Sequence, residues 1–470
     1  MCVSSLVGTH QTMVREILFL VSLVTLARAV AETSQYDYIV VGAGIAGAGA
    51  ASTLKKNLGG KKDAVLVLEA RSRVGGRLQS EQVGGYTVNV GASWIHGIRG
   101  NPLIPLAKQA GVSLSKELSN YDDSKTFYAS GKPVSARAEA MYDTTWKEFE
   151  EYLEERQDEA DYDYDDDPGL GPVVDSFVRK KKLVGIEREA FFFNVKANIG
   201  DEYAAEYSQL SLWYDEDVDL KGGDRLVTGP YDGIVKYLLR DINVVLESPV
   251  ERIDYSGSSG VLVTTKSGRK AEYVARKGVI VTVPLGVLKQ QSIKFVPNLP
   301  KKNRKAIDAL GMGLLNKCVL VFDSIWWDEE EWIQQITGVG FQANFNLAPV
   351  SGEPILFGFN SGDNAEEIEK WSDAKTCDAF MAALRGMYPD APKTYRHCIV
   401  TRWRDDAFSK GSYSYTTPRM EYKPAHEGVG APVDGGRVSF AGEACSLKYP
   451  ATANGAYSTG VEAAERLLKR

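Results

Sequence analysis

The sequence predicts an α/β protein in which a Rossmann-like, dinucleotide-binding domain is interleaved with a second domain of α+β type. Three observations support this prediction: a glycine-rich strand–turn–helix pattern at Tyr38–Gly49, a strand-rich stretch at about 241–283, and a short strand with a small-residue helix within 436–470. Helical and polar sequence separates these segments. Because one Rossmann-like sheet can collect strands from distant segments, we assign the intervening sequence to the second domain.

The pattern at Tyr38–Gly49 reads YIVVGAGIAGAG and is followed by a second strand that ends on Glu69. Gly42 allows the sharp turn, Gly44 lets a pyrophosphate approach the backbone, and Gly47 lets the helix pack closely on the strand. The free N–H groups and the positive dipole end of this helix favour phosphate binding. Glu69, about 20 residues further on, is placed to accept hydrogen bonds from an adenosine ribose.

The residues after Glu69 help to distinguish between dinucleotides. The run that ends at Arg77 reads EARSRVGGR. Its adjacent glycines, Gly75 and Gly76, allow a second close approach of the backbone to a pyrophosphate, and Arg71 and Arg77 supply charge and forked donors. This doublet resembles that of the flavin-containing amine oxidases, and a plain nicotinamide dehydrogenase does not need it.

Composition and charge narrow the function classes. A chain of 470 residues is long enough for two domains with full cores, and 44% hydrophobic and 25% charged residues are ordinary for a globular protein. The formal net charge of −7 argues against nucleic acid as the main partner and is compatible with a cationic ligand.

The N-terminal sequence predicts export. Arg15 precedes the apolar run Ile17–Leu26, and Ala29 and Ala31 form an A-x-A-like cleavage site. The run is too short to span a bilayer comfortably, and no later stretch is apolar enough to do so. We therefore expect residues 1–31 to be a signal peptide cleaved near Ala29 or Ala31, with no stable membrane insertion and a secreted or luminal mature protein. A retained signal anchor is the alternative.

The cysteines and histidines give no metal-binding pattern. Cys318, Cys377, Cys398 and Cys445 would remain after cleavage, and no pair has metal-ligand spacing. We interpret them as buried free thiols, and an oxidising compartment would allow a Cys377–Cys398 disulfide instead. The remaining histidines do not cluster in the sequence, so we expect no zinc or iron site.

The domain boundaries follow from these patterns. We assign residues 36–100, 230–300 and 431–470 to the dinucleotide-binding domain, and residues 101–229 and 301–430 to the substrate domain. The substrate domain contains the acidic run Asp161–Asp167. We interpret this run as a solvated loop, and electrostatic collection of a polycation is the alternative.

Four separated segments resemble the flavin-containing amine oxidase family, and together they extend from about Tyr36 to the C-terminus. They are the glycine motif with its arginine–glycine doublet, GASWIHG followed by Asn101-Pro102, LNKCVLVF followed by WWD, and FAGEA continuing into YPATANG. Within the family the match is closest to polyamine oxidases and lysine-specific histone demethylases. The resemblance implies an FAD-binding domain of the two-dinucleotide type, FAD as cofactor, an amine substrate and O2 as the electron acceptor.

The resemblance also implies cofactor contacts beyond the glycine motif and the doublet. These further FAD-binding residues are Ala46, Gly91, Ala92, Ser93, Trp94, Val250, Trp403, Gly442, Glu443, Thr452 and Ala453. In monoamine oxidases a Gly-x-Tyr turn carries the cysteine that bonds the flavin, and here that turn carries Ser412. We therefore expect the FAD to be non-covalent.

Lys317, Tyr449 and Tyr413 are the principal catalytic candidates. Lys317 lies in a strand-like run, where a lysine among apolar neighbours is costly unless its charge is solvated or removed. In the resembling family this lysine holds a water at the reactive flavin nitrogen, and a lysine with a lowered pKa could assist proton movement or oxygen chemistry. The resemblance implies that Tyr449 and Tyr413 flank the reacting C–N bond, with Tyr415 as the alternative to Tyr413.

Two further residues are candidates for amine binding. His96, in the sequence SWIHG, could hydrogen-bond a substrate amine and accept a proton, and a structural histidine is the alternative. Glu206, in the sequence YAAEY, is a candidate for binding a distal amine.

These features predict a secreted, FAD-dependent polyamine oxidase. Hydride transfer from a neutral secondary amine of spermine or spermidine would give an imine, hydrolysis would give an aldehyde and an amine, and O2 would become H2O2. The alternatives are a lysine-specific demethylase, a non-catalytic flavin module, and an L-amino-acid oxidase that binds a carboxylate through Arg99, Arg225 or Arg402. The preferred polyamine, the side of the nitrogen that is oxidised and the oligomeric state are left open by the sequence.

Overall fold

The computed structural model describes residues 34–61, 64–119, 123–160, 166–214, 220–266, 271–336 and 340–470. The predicted signal peptide and residues 161–165 of the acidic run lie outside these ranges. Among the described residues, no helix combines the length and the apolar character that crossing a lipid bilayer requires.

The strands of the described chain form two large sheets and several small ones. In chain order they are β1 (Ser34–Val41), β2 (Val65–Leu68), β3 (Ser80–Val83), β4 (Tyr86–Asn89), β5 (Trp94–Ile95), β6 (Leu114–Glu117), β7 (Ser124–Phe127), β8 (Arg225–Val227), β9 (Asn243–Val245), β10 (Val250–Asp254), β11 (Val261–Thr265), β12 (Ala271–Val281), β13 (Lys294–Val296), β14 (Gly311–Met312), β15 (Leu315–Val321), β16 (Trp332–Gln335), β17 (Ala343–Asn346), β18 (Ile355–Ser361), β19 (His397–Val400), β20 (Ser414–Tyr415) and β21 (Val438–Phe440).

Helices cover both large sheets, and several of them lie in the polar segment 101–229. They are α1 (Ile45–Asn57), α2 (Leu103–Ala110), α3 (Ala136–Glu159), α4 (Leu170–Lys181), α5 (Gly185–Val195), α6 (Asp201–Tyr203), α7 (Asp232–Leu239), α8 (Leu285–Lys289), α9 (Lys301–Ala309), α10 (Ala348–Ser351), α11 (Gly362–Glu369), α12 (Asp373–Met387), α13 (Tyr422–Gly430) and α14 (Ala453–Leu468), with a π-helical turn at Lys196–Gly200.

The first large sheet has eight strands in the order β13-β10-β11-β12-β1-β2-β9, and β21 pairs with β12. The strands β12, β1, β2 and β9 run parallel, whereas β10–β11–β12 form an antiparallel meander. Strand β1 is buried on both faces, with Val40 in one core cluster and Ile39 and Val41 in the other. The continuous apolar reading YIVV follows from this burial. The predicted α/β fold is confirmed.

Small residues let α1 and α14 cross closely on one face of this sheet. A Cβ atom added at Gly460 of α14 would lie 2.1 Å from the carbonyl oxygen of Ala46 in α1, and one added at Gly49 would lie 3.0 Å from Tyr457. The GAGAA and NGAYSTG sequences therefore serve helix packing. This contact brings the last helix of the chain to the N-terminal nucleotide-binding segment.

The second large sheet has six strands in the order β19-β15-β18-β17-β16-β7. Strand β15 lies inside the sheet, paired antiparallel with β18 and β19, so Lys317 is not at a sheet edge. Helix α12 packs over this sheet, with Phe380 and Leu384 in the same core cluster as Leu320 and Leu356.

Two interpretations of individual residues are corrected. Cys377 of α12 and Cys398 of β19 form a disulfide, so the free-thiol interpretation is wrong for this pair, while Cys318 and Cys445 carry free thiols. Asp167 is only 1% exposed, so the solvated-loop interpretation is wrong for this last residue of the acidic run. Its carboxylate accepts hydrogen bonds from the Ser211 hydroxyl and from backbone N–H groups.

Candidate active site

A cavity of about 1050 Å³ runs between the two large sheets. Pockets for drug-sized ligands occupy about 300–1,000 Å³, so this cavity has room for a dinucleotide and a further small molecule. One part is lined by the glycine-rich turn, the arginine–glycine doublet and the start of α14, and another part is lined by Lys317 and aromatic side chains.

The glycine turn has the geometry that its sequence predicts. Gly42 has φ +106°, a backbone conformation that glycine adopts readily and other residues adopt rarely. A Cβ atom at Gly47 would lie 2.0 Å from the Gly42 carbonyl oxygen, so Gly47 supports close helix–strand packing and does not line the cavity. A Cβ atom at Gly44 would meet no protein atom within 4 Å, because this backbone faces the cavity. The N-terminus of α1 is therefore open to a phosphate.

Glu69 is buried at the end of β2 and lines the cavity. Its carboxylate accepts hydrogen bonds from the N–H of Ala43 at 2.7 Å and of Arg71 at 2.8 Å. Each carboxylate oxygen has a second acceptor site, so both can also bind ribose hydroxyls. The carboxylate is thus fixed beside the turn that would hold the pyrophosphate.

The doublet lies against the first turn. Gly75 donates from its N–H to the carbonyl of Ala43, and both glycines have positive φ. The flanking arginines are held by chain partners: Arg71 makes a forked ion pair with Asp406, and Arg77 contacts Glu443 at 2.9 Å. These arginines line the cavity and tie its wall together.

The C-terminal segment closes this half of the cavity. Gly442 has φ +147° and open space where a Cβ atom would be, and Thr452 caps α14 by accepting from the Gly455 N–H at 3.0 Å. Glu443 accepts from the Ser414 hydroxyl at 2.6 Å. The remaining residues predicted to contact the cofactor also line the cavity: Ala46, Gly76, Gly91, Ala92, Ser93, Trp94, Val250, Trp403 and Ala453.

Lys317 is 5% exposed, and its Nζ is surrounded by neutral acceptors and rings. It donates to the carbonyl oxygens of Asn89 at 3.1 Å and Gly91 at 2.5 Å, and to the hydroxyl of Ser93 at 2.6 Å. It lies 5.4 Å from the Trp94 ring. Burial lowers the pKa of Lys317 from its ordinary 10.5 to about 7. The amine is therefore poised to gain or lose a proton near neutral pH.

Two of the three candidate tyrosines line the cavity. Tyr413 donates from its hydroxyl to the carbonyl of Asp201 at 2.9 Å, which fixes its ring, and Tyr449 lies just before the N-terminus of α14. Tyr415 lies outside the cavity lining and packs over Gly311. The alternative assignment of the cage to Tyr415 is therefore wrong in position.

His96 lines the cavity and lies within 2.8 Å of an acid that the sequence did not single out. Its Nδ1 contacts the carboxylate of Asp224, which also accepts from the Gly97 N–H at 2.9 Å. Burial alone would raise the pKa of Asp224, but the hydrogen bond and charge of His96, the hydrogen bond from the Gly97 N–H and the charge of Arg225 together lower that pKa. The acid is therefore ionised at neutral pH.

The structure places Glu206, the candidate for binding a distal amine, away from the cavity. Its carboxylate accepts from the Asp363 N–H at 3.0 Å and caps the short turn at Tyr207–Gln209, and it does not line the cavity. Asp201 and Glu202, five and four residues earlier, do line it. The Asp201 carboxylate pairs with Lys196 at 3.7 Å and accepts from the Ser361 hydroxyl, so Glu202 is the α6 acid of the lining that remains for a distal amine.

Residues 45–468 match the family described as flavin containing amine oxidoreductase. The chain belongs to this family. "Polyamine oxidase 2" of Arabidopsis thaliana is 32% identical, over 93% of this chain and 90% of the relative. "Polyamine oxidase 4" of Oryza sativa subsp. japonica is 35% identical, over 92% of this chain and 88% of the relative.

Other relatives of this flavin amine oxidase differ in length or are more distant. "Lysine-specific histone demethylase 1 homolog 1" of Arabidopsis thaliana is 34% identical over 92% of this chain but 52% of the relative. A solved structure of wild-type putrescine oxidase bound to putrescine superposes with a TM-score of 0.70 at 20% identity, covering 93% of this chain and 100% of that chain. At this identity the superposition supports the fold alone.

The cofactor of this flavin amine oxidase is FAD. The cavity fits it: the Gly44 and Gly442 backbones face open space, and the buried Glu69 carboxylate lies beside the N-terminus of α1. Within the described residues, the sulfur atoms of Cys318, Cys377 and Cys398 form the cluster with metal-ligand proximity, and the disulfide occupies two of them.

Sequence reasoning missed the side chains that complete the amine-oxidising half of the cavity. They include Leu118, Asp201, Glu202, Asp224, Trp332 and Phe359. Trp332 and Phe359 come from β16 and β18, and only the sheet pairing brings them near Lys317. The π-helical turn before Asp201 is a feature often found at functional sites, but no residue pattern announces it.

Proposed function

We propose that this flavin amine oxidase oxidises polyamines such as spermine and spermidine at a secondary nitrogen. A CH–NH unit, O2 and water would give an aldehyde, an amine and H2O2. The observation that carries the proposal is the composition of the cavity wall around Tyr413. Asp201, Glu202 and Asp224 line the same cavity as Tyr413, and the arginines of the described lining, Arg71 and Arg77, are paired with Asp406 and Glu443. The names of the plant relatives support the same substrate class.

When bound, FAD supplies the hydride acceptor and passes the electrons to O2. The chain's own residues bind, orient and desolvate the amine. Tyr413 and Tyr449 present rings to the cavity, and their faces can steady an ammonium and guide a C–N bond between them. The hydrogen bond from Tyr413 to Asp201 fixes one ring before substrate arrives.

Lys317 would handle a proton at its Nζ. With a pKa of about 7, it can be neutral when it holds a water and charged after it accepts a proton. In the charged state its three N–H groups donate to the carbonyl oxygens of Asn89 and Gly91 and to the hydroxyl of Ser93, and in the neutral state two N–H groups still hold Nζ while its lone pair is open to a water. The site thereby combines a fixed nitrogen with a proton affinity suited to neutral pH.

The structure argues against binding an amino-acid carboxylate. Arg225 pairs with Glu117, Arg402 pairs with Asp373, and neither lines the cavity. Arg99 is exposed and lies outside the lining. The arginines that do line the cavity, Arg71 and Arg77, belong to the doublet at the dinucleotide. An L-amino-acid oxidase would need a forked cation on the substrate side.

We further propose that the FAD is held non-covalently. Ser412 occupies the turn position at which the resembling monoamine oxidases attach flavin, and its hydroxyl donates to the Leu315 carbonyl at 2.9 Å. Denaturing the yellow protein with acid should release the flavin into the supernatant. Flavin that stays with the precipitate would refute this proposal.

Export after cleavage near Ala29 or Ala31 is likewise our proposal. It is supported by the apolar run that precedes these residues and by the Cys377–Cys398 disulfide, since disulfides persist in oxidising compartments. N-terminal sequencing of protein recovered from the medium or the secretory lumen should begin just after one of these alanines. An intact N-terminus on cytosolic protein would contradict it.

Product analysis tests the proposed function. The protein is incubated separately with spermine, spermidine, an L-amino-acid mixture and a methylated-lysine peptide, while aldehyde and H2O2 are measured. We expect both products with the polyamines and none with the amino acids. Turnover of the methylated peptide alone would identify a demethylase, and turnover of amino acids alone would identify an L-amino-acid oxidase.

A further inference from the structure

We propose that Asp224 is a positioning residue that fixes the tautomer of His96, so that Nε2 of His96 carries the lone pair that receives a proton from the substrate amine. This inference rests on the proposed function for the identity of the amine. Asp224 lies in the loop that precedes β8, far in sequence from the SWIHG motif that contains His96.

The geometry of the pair supports this role. The Asp224 carboxylate lies 2.8 Å from Nδ1 of His96, and its other oxygen accepts from the N–H of Gly97 at 2.9 Å. Both side chains line the cavity. The His96 side chain is 49% exposed, whereas that of Asp224 is 24% exposed, so the acid lies behind the histidine.

The loop that carries His96 is fixed on two sides. Asp224 holds the N–H of Gly97, and the Asn101 side chain donates to the carbonyls of His96 and Gly97 at 3.1 Å each. Gly97 has φ +59°, and a Cβ atom there would lie 2.0 Å from the Leu220 carbonyl oxygen. The imidazole is therefore mounted on a rigid turn, and its ring direction is set by Asp224.

The tautomer follows from the charge of the acid. An ionised carboxylate accepts hydrogen bonds and cannot donate them, so Nδ1 of His96 must carry the proton that lies between the two groups. In the neutral ring the lone pair is then on Nε2. A proton that leaves a substrate ammonium passes to this lone pair, and the imidazolium that forms is stabilised by Asp224.

Among the residues that the structure describes, charged groups of β6, β8, α6 and β15 lie around the pair. Arg225 of β8 donates to the Asp224 carbonyl and pairs with Glu117 of β6 at 3.1 Å. Asp201 and Glu202 of α6 face the same cavity, and Lys317 of β15 lies in its wall. Asp224 is thus the acid in direct contact with the ring, and the other groups act on it across the cavity.

Asp224→Asn separates positioning from structure. An asparagine oxygen can still accept from the Gly97 N–H, which keeps the turn. Its amide would donate to Nδ1 of His96 and move the ring proton to Nε2. The ring would stay in place but would present a donor to the substrate in place of an acceptor.

Nitrogen-15 NMR of histidine-labelled full-length protein tests this directly, with His96→Gln used to assign the signal. We expect Nδ1–H in the wild type and Nε2–H in Asp224→Asn. We also expect kcat/KM for spermidine to fall by about tenfold or more, mainly in kcat, with FAD affinity unchanged. Asp224→Glu should retain the wild-type tautomer, and Glu117→Gln, which removes a nearby acid from β6, is the matched control.

Identical tautomers in the wild type and Asp224→Asn would overturn the inference. So would an Asp224→Asn enzyme with wild-type kcat/KM and pH profile while His96→Gln is impaired. A wild-type protein that oxidises no polyamine refutes the proposed function instead, and the histidine spectra then still decide whether Asp224 sets the tautomer.

Discussion

Replacing Lys317 by methionine should remove a pH-dependent term from the stability of the protein. The folded protein holds Lys317 at a pKa of about 7, whereas in the unfolded chain its pKa returns to about 10.5. Between these values the unfolded chain binds one more proton than the folded protein, so this group makes stability rise with pH. At about 1.36 kcal/mol per pH unit, the full range corresponds to about 5 kcal/mol.

Lys317→Met also removes the three hydrogen bonds that Nζ donates to the carbonyl oxygens of Asn89 and Gly91 and to the Ser93 hydroxyl. The two carbonyl oxygens keep the Ser93 hydroxyl as a donor, and the oxygen of that hydroxyl loses its donor. That loss costs about 1–3 kcal/mol and does not depend on pH. The sign of the stability difference at any one pH is therefore set by two opposing terms, but its slope is set by the titration alone. We expect the variant to lose about 5 kcal/mol relative to the wild type between about pH 7 and pH 10.5.

Urea unfolding of FAD-free protein, followed from about pH 6 to pH 11 by tryptophan fluorescence, measures this difference. Lys305→Met, at an exposed lysine of α9, is the matched control and should give a flat difference curve. A flat curve for Lys317→Met as well would refute the reasoning, because Lys317 would then be charged and stabilised in the folded protein.

Three further predictions test other parts of the account. Gly47→Ala should lower the free energy of unfolding by about 3 kcal/mol, because its Cβ would meet the Gly42 carbonyl. Gly44→Ala should change the free energy of unfolding by no more than about 1 kcal/mol but weaken FAD binding about tenfold or more, as titration with FAD would show. Equal effects of the two substitutions would contradict the turn geometry. The anaerobic rate of flavin reduction by spermidine should rise above neutral pH as the neutral amine fraction grows, and a flat profile would count against oxidation of an uncharged amine. Burial raises the pKa of the Cys318 thiol, so a thiol reagent should modify it only after unfolding, and rapid labelling of the native protein would argue against this burial.

The nucleotide-binding half could be read from the sequence because short-range rules determine it. Gly42, Gly44 and Gly47 act within one turn, and Glu69 ends the adjacent strand, so spacing alone places them. The apolar sequence around Lys317 in β15 also predicted that this lysine lies among apolar neighbours. Its low exposure is the structural consequence.

The other half depends on contacts between distant segments. Asp224 and His96 are 128 residues apart, and the loop before β8 brings them together through pairing of β8 with β5. Glu206 lies close in sequence to the acids of α6 that line the cavity. Ala204 has φ +53° and separates α6 from the short turn that Glu206 caps, so Glu206 does not continue the helix. Sequence spacing cannot show which of several nearby acids faces a cavity.

The sequence offered the Cys377–Cys398 disulfide only as the alternative to free thiols, for a similar reason. Cys377 lies on α12 and Cys398 on β19, and their Cα atoms come within 6.3 Å only because α12 packs on the six-stranded sheet. Asp167 likewise reads as part of a solvated acidic run, and its burial depends on partners at Ser211 and Arg419. Charge patterns predict solvation only on average.

The most direct test of the central claim is anaerobic spectroscopy of the FAD-loaded protein. Addition of spermine or spermidine without oxygen should bleach the visible absorbance of the flavin, and admission of air should restore it with formation of H2O2. A bound flavin that stays oxidised with both polyamines, while an unrelated amine or amino acid reduces it, would contradict the assignment of this cavity to polyamine oxidation.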